Sequence, residues 1–203
     1  MIRDGASEPS RDGSALPATM QEAAPPSTHG PAPAVLSATF RAIFESEFGF
    51  VCRSLRRLGV READLQDVAQ ELFVTVHQRH GEYDPSRPLR TWLFSFSLRF
   101  AANYRRLARV RGHVSDDVLE RRPASRSEDG EARDLVLRGL EALDFDRRTV
   151  IVMCDLEGFA APEVAEQLGI PLNTVYSRLR LAREDFREAI ARLDNRNGTR
   201  SAP

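Results

Sequence analysis

A chain of 203 residues with 41% hydrophobic content can bury one core or two small ones. Its formal charge of −1 gives no overall pull toward nucleic acid, and that all 29 basic residues are arginine reads as a GC-rich coding bias and not as a phosphate-binding device. No apolar stretch nears the roughly 20 residues of a membrane span, and the N-terminus lacks the apolar core of a secretory signal, so a cytoplasmic protein is expected.

Residues 1–36 carry six of the twelve prolines and few large apolar groups, too little to offset the entropy of ordering, so a disordered Pro/Ala-rich arm is expected there. Phe40, Phe44, Phe48, Val51, Leu55 and Leu58 then follow a helical stripe that stops at Gly59. A second helix is predicted from Asp64 to His80 with Val68, Leu72 and Val76 inward, and a third from Leu89 to Val110 using Trp92, Leu93, Phe96 and Phe100. The polar run 113–132 reads as a flexible linker. Leu135, Leu137, Leu140, Leu143, Val150, Ile151, Met153 and Leu156 begin a second module over 133–193, and 194–203 is a tail. No convincing period-two segment occurs, so the fold class is all-α, two small helical domains (37–112 and 133–193) joined by the linker.

Charge in the first module is sorted by position. From Glu62 to Asp84 there are six acids and one arginine; from Pro85 to Ser115 there are seven arginines and no acid. The basic run suits a phosphate backbone, or else it is a solvated face paired with the acidic one. Trp92, Phe94, Phe96, Phe100 and Tyr104 interleave with it. Phe94 and Phe96 lie ~200° apart on a helix, so not all five can face one core, and some could stack on unpaired bases. Taken singly, packing suits each aromatic better. On the acidic helix Asp67, Gln70, Glu71 and Val74 share a flank away from the apolar stripe, a face that serves either solubility or protein docking.

The segment 161–183, APEVAEQLGIPLNTVYSRLRLAR, reads as a helix-turn-helix. Pro162 and Glu163 suit a first turn, Val164, Ala165 and Leu168 form a narrow apolar strip, and Gly169 suits a left-handed end. Val175, Leu179, Ala182 and Phe186 share one face of the second helix. Asn173, Ser177 and Arg180 point the other way, flanked by Tyr176 and Leu181, where side chains can reach a major groove. Such pairs also occur as plain packing units.

Other chemistries find no support. Cys52 and Cys154 sit in apolar helical patterns and read as buried free thiols of a reducing compartment. His29, His77, His80 and His113 form no metal-ligand set, and there is no Gly-rich phosphate loop or nucleophile elbow. No enzyme, cofactor or metal is expected.

Together these residues resemble the extracytoplasmic function (ECF) subfamily of RNA polymerase sigma factors, over about Phe40 to Leu193. DVAQELFVTV (67–76) looks like the family's polymerase-docking helix, YDPSRPLRTWLFSFSLRFAANYRR (83–106) its promoter-melting segment, and LEGFAAPEVAEQLGIPLNTVYSRLRLARE (156–184) its reader of the minus-thirty-five element. The resemblance implies docking on core RNA polymerase through Asp67, Gln70, Glu71 and Val74. It implies capture of the melted minus-ten strand by Arg87, Arg90, Arg99, Asn103, Tyr104, Arg105 and Arg106. Duplex contacts at the upstream element fall to Asn173, Thr174, Tyr176, Ser177, Arg178, Arg180 and Arg183. The partners are core polymerase and promoter DNA, duplex and melted, and the resemblance leaves room for an anti-sigma protein.

Three positions depart from the family's pattern. Arg99 stands where Asn is frequent, so a base contact is not carried over there. Tyr176 and Leu181 stand where basic residues are common, so a different promoter sequence is expected. Ala160-Ala161 replaces a polar helix cap, a loss of about 1 kcal/mol. A free-standing helix-turn-helix regulator would explain the second module but would leave the Asp67–Glu71 face without a role.

Overall fold

In the first helix, α1 (Pro33–Arg57), Val51, Leu55 and the following Leu58 are fully buried, while Phe40, Phe44 and Phe48 pack at the edge around Phe73. The computed structural model describes residues 33–110 and 128–198, and all their regular structure is helical. Gly59 ends α1 at φ +103°, its N–H bonding the Arg56 carbonyl while the Val60 N–H reaches back to Leu55. A short 3₁₀ turn, Glu62–Asp64, leads into α2 (Leu65–Gln78), and a second, His80–Glu82, leads out of it.

Helix α2 buries Leu65, Ala69, Leu72, Phe73 and Val76. The predicted stripe is therefore rotated slightly, with Val68 only half-buried, because Phe73 fills the space under α1. Helix α3 (Leu89–Val110) follows Pro88 and buries Leu93, Phe94, Phe96, Ser97 and Ala101.

The second module packs α4 (Glu128–Glu141), α5 (Phe145–Ile151), a π-helical turn (Val152–Leu156), α6 (Ala161–Leu168) and α7 (Leu172–Gly198). Asp144 caps α5 by accepting from the Arg147 N–H at 2.9 Å. Gly139 lets α4 press on α7: a β-carbon there would lie 2.6 Å from Phe186 and 2.7 Å from Ile190. Gly169 takes the left-handed φ of +64° expected at the end of α6, and Val175, Leu179 and Ala182 form the buried face of α7.

Helix α4 begins at Glu128, inside the segment expected as linker, and α7 continues to Gly198, inside the expected tail. The arm up to residue 32 and the linker from 111 to 127 lie outside the described residues. Cys52 and Cys154 are free and half-buried, less covered than their patterns suggested, and burial pushes both thiols up.

Phe94 and Phe96 are both buried despite pointing to opposite sides of α3. Phe96 packs on Trp92, whereas Phe94 meets Phe159 of the second module edge-on at 5.5 Å. Packing, the reading that suited each aromatic taken singly, holds for both, because a second core surface covers the far side of α3.

Candidate nucleic-acid interface

On α2, Asp67, Gln70, Glu71 and Val74 are all exposed, and Val74 is 58% accessible. Among the described residues no ion pair engages Asp67 or Glu71. A solvent-facing valine beside unpaired carboxylates offers an apolar contact next to charges that a basic partner surface can pair.

The loop before α3 is held in shape by its own polar groups. Asp84 accepts from the Ser86 N–H at 2.9 Å, which holds its carboxyl below the ordinary range, and the Tyr83 hydroxyl donates to the Arg87 carbonyl at 2.9 Å. The Tyr83, Trp92 and Phe96 rings form a chain with centroids 5.1 and 5.0 Å apart. Arg79 and Arg99 approach the Phe96 ring at 5.8 and 5.2 Å, and Arg79 pairs with Glu82, which lowers the Glu82 carboxyl.

The residues expected at melted DNA are thus not alike. Arg99, Asn103 and Arg106 are exposed on α3, with Arg106 donating to Asn103 at 2.9 Å. Arg90 lies over Phe50 at 5.2 Å and pairs with Glu47 at 2.9 Å. Tyr104 is half-buried, donating to Asp64 while accepting from Arg61 at 3.0 Å; burial first and the Asp64 bond second raise its phenol. Arg87 pairs with Glu166 of α6 at 3.0 Å, and Arg105 lies over the Phe145 ring of α5 at 5.2 Å.

On α7, Asn173, Tyr176, Ser177 and Arg180 make one exposed row, with Tyr176 at 53%. The Ser177 hydroxyl bonds the Thr174 carbonyl at 3.0 Å, and Thr174 itself is half-buried. Arg180 stays on the outer face, bound by Glu184 one turn on at 2.8 and 3.0 Å. Arg178 and Arg183 are committed elsewhere, to Asp146 at 3.0 Å and to Asp155 at 2.7 Å. Arg178 lies ~140° around α7 from Asn173, beside the buried face, and so reaches α5.

Sequence reasoning did not single out the residues that join the modules. Arg148, only 2% exposed, donates to the carbonyls of Arg57 and Arg56, and Glu157 pairs with Arg57 at 2.8 Å while accepting from Ser54 at 3.2 Å. Gln167 donates to the Thr91 carbonyl at 3.2 Å. Their partners lie roughly 76 to 103 residues away along the chain, beyond any local pattern.

Comparison with known proteins follows the same division. Residues 43–110 match Sigma-70 region 2 and residues 133–186 match Sigma-70, region 4. The chain is 33% identical to the RNA polymerase sigma factor CnrH of Cupriavidus metallidurans over 150 residues, 66% of this chain and 76% of that one. It is 31% identical to the ECF RNA polymerase sigma factor SigL of Mycobacterium tuberculosis over 168 residues, 80% and 94%. CnrH solved with the cytosolic domain of CnrY superposes with a TM-score of 0.55 at 28% identity, covering 79% of this chain and 96% of that one. RpoE of Bartonella quintana, solved with the anti-sigma factor NepR, shares the fold with a TM-score of 0.64 at 19% identity, covering 75% and 97%. Among the described residues no helix is long and apolar enough to cross a membrane. With both regions matched in order, this chain belongs to the ECF subfamily of RNA polymerase sigma factors, initiation factors of promoter-directed transcription.

Proposed function

We propose that the chain joins core RNA polymerase through the exposed flank of α2, reads the minus-thirty-five element with the outer row of α7, and holds the melted minus-ten strand with the loop before α3 and the exposed side of α3. The observation that carries this reading is the flank of Asp67, Gln70, Glu71 and Val74, polar, apolar and unpaired together, on a module whose next helix carries cations without acids. A DNA-binding regulator acting alone has no use for that flank.

The minus-ten set comprises Arg87, Arg90, Arg99, Asn103, Tyr104, Arg105 and Arg106; the upstream set comprises Asn173, Thr174, Tyr176, Ser177, Arg178, Arg180 and Arg183. Within the latter, the exposed row of Asn173, Tyr176, Ser177 and Arg180 supplies base contacts. Arg178 and Arg183, tethered by Asp146 and Asp155, supply phosphate contacts or shape the helix. Melting draws no nucleotide energy on this reading, because captured bases and phosphate contacts offset the few kcal/mol of each unstacked step. The work is done in the cytoplasm, and a sequestering anti-sigma protein, the kind of partner seen with RpoE, belongs to the proposal.

The test is size exclusion of the full chain with core polymerase. The wild type co-migrates, and Asp67→Arg with Glu71→Arg, both exposed, abolishes co-migration while leaving the circular dichroism unchanged. Undiminished binding by the double variant removes the docking assignment; tight duplex binding without any co-migration of the wild type favours the free-standing regulator.

A further inference from the structure

The acidic stretch from Glu62 to Asp84 contains a single arginine, Arg79, and the function proposed above gives it no part. It stands just past the end of α2 and reaches across to α3. There its guanidinium lies 5.8 Å from the centre of the buried Phe96 ring, and that of Arg99 lies 5.2 Å from the same centre. Two cations therefore gather on one ring. Burial first, and repulsion from Arg79 second, lower the Arg99 pKa. Phe94, which meets Phe159, points to the opposite side of α3, so this cluster lies on the side away from that contact.

One carboxylate answers both guanidiniums. Glu82 takes Arg79 in a fork, Nε to Oε1 at 2.9 Å and Nη2 to Oε2 at 2.5 Å. The Arg79 bond is the largest cause that lowers the Glu82 carboxyl, and the Arg99 charge adds to it. Among the described residues Arg99 has no ion pair of its own, so the set carries one positive charge more than it neutralises. All three side chains are open to solvent, Arg79 at 37%, Glu82 at 54% and Arg99 exposed. An ion pair this open contributes little to stability, so exchanging its anion for another costs little. Two oxygens of a phosphate fit the guanidinium fork as two oxygens of a carboxylate do. Glu82 thus occupies the place that a phosphate would take.

We propose that Arg79 and Arg99, gathered on Phe96, form a phosphate clamp for the melted strand, and that Glu82 is its built-in competitor, released when a phosphate enters the Arg79 fork. The strand as the source of that phosphate rests on the function proposed above: Asn103 and Arg106 continue the exposed face of α3 from Arg99 at helical spacing. A phosphate contact holds every sequence alike, so the clamp adds grip without sequence preference, and Glu82 keeps that grip in check.

The test titrates holoenzyme, reconstituted from core polymerase and the full chain, with fluorescein-labelled oligothymidylate over a range of salt. Anisotropy is the readout and core polymerase alone is the reference. Arg79→Gln should weaken binding and make the slope of log K against log salt shallower by about 0.7, one phosphate contact on a single strand. Arg79→Lys, which keeps the charge, should restore the slope. A merely structural role for Arg79 on the Phe96 ring would leave the slope unmoved. Glu82→Gln should tighten binding about two- to fivefold, the range of an exposed ion pair, and should add nothing once Arg79→Gln is present. A slope that Arg79→Gln leaves unchanged overturns the clamp. No tightening by Glu82→Gln, or tightening that persists without Arg79, overturns the competitor. Wild-type holoenzyme that binds the oligonucleotide no better than core polymerase defeats the strand-holding role proposed above and the clamp with it. Holoenzyme that binds better, with every variant alike, defeats the clamp alone.

Discussion

Arg180 and Arg183 show how little a residue's type says about its use. Both are exposed arginines on α7, yet Arg183 is bound by Asp155 on the π-helical turn, which raises its pKa, while Arg180 is bound only by Glu184 on its own outer face. A carboxylate one turn away can aim a guanidinium without withdrawing it from the exposed face. Arg180→Ala is expected to cost about 1–3 kcal/mol at a single base position of the upstream element, read as binding by holoenzyme across a set of single-base promoter variants. A uniform loss at all positions would make Arg180 a phosphate contact.

Gly59 and Gly158 offer a second comparison at this scale. Both hold positive φ, +103° and +76°, but only Gly59 faces side chains within contact distance. Alanine at either position meets backbone strain of about 1–2 kcal/mol, and at Gly59 it must also displace two guanidiniums. Urea denaturation should therefore show a larger loss for Gly59→Ala than for Gly158→Ala; equal losses would mean that Arg105 and Arg148 move aside freely.

Among the elements, α5 and α6 start in opposite ways. Asp144 accepts from the α5 backbone and also pairs with Arg147, which reaches on to Asp185 of α7. At α6 Ala160 has no side-chain acceptor, and the end is held only by Glu163 accepting from the Ala160 N–H at 2.9 Å. Thermal unfolding should show Asp144→Ala losing, and Ala160→Ser gaining, about 1 kcal/mol. No gain from the serine would mean that Glu163 already satisfies that turn.

These elements also mark how far the sequence could be read. The bounds of α3, the left-handed Gly169 and the buried Val175–Leu179–Ala182 face follow from period and turn chemistry, which are local. The rotation of α2 was not legible, because Phe73 turns inward only when the α1 aromatics are in place. Nor was the fate of Phe94, Arg87 and Arg105, each fixed by a partner in the other module. The exposed flank of α2 could be placed by periodicity, while its partner class came from the family resemblance.

At the scale of the whole molecule, a near-neutral chain sorts its charge along the first module, with six acids over 62–84 and none over 85–115. On the function proposed above, that sorting serves a protein machine and a nucleic acid at separate places, on two modules that Arg148 and the Arg57–Glu157 pair connect. Initiation then requires the chain to bridge polymerase and promoter, so neither binding event alone accounts for its action.

The most direct measurement is in-vitro transcription from a genomic library by core polymerase with and without the full chain. The account predicts new RNA starts, downstream of a shared pair of promoter elements, only when the chain is present, and their loss with Asp67→Arg and Glu71→Arg. Identical starts with and without the chain on every template would contradict it.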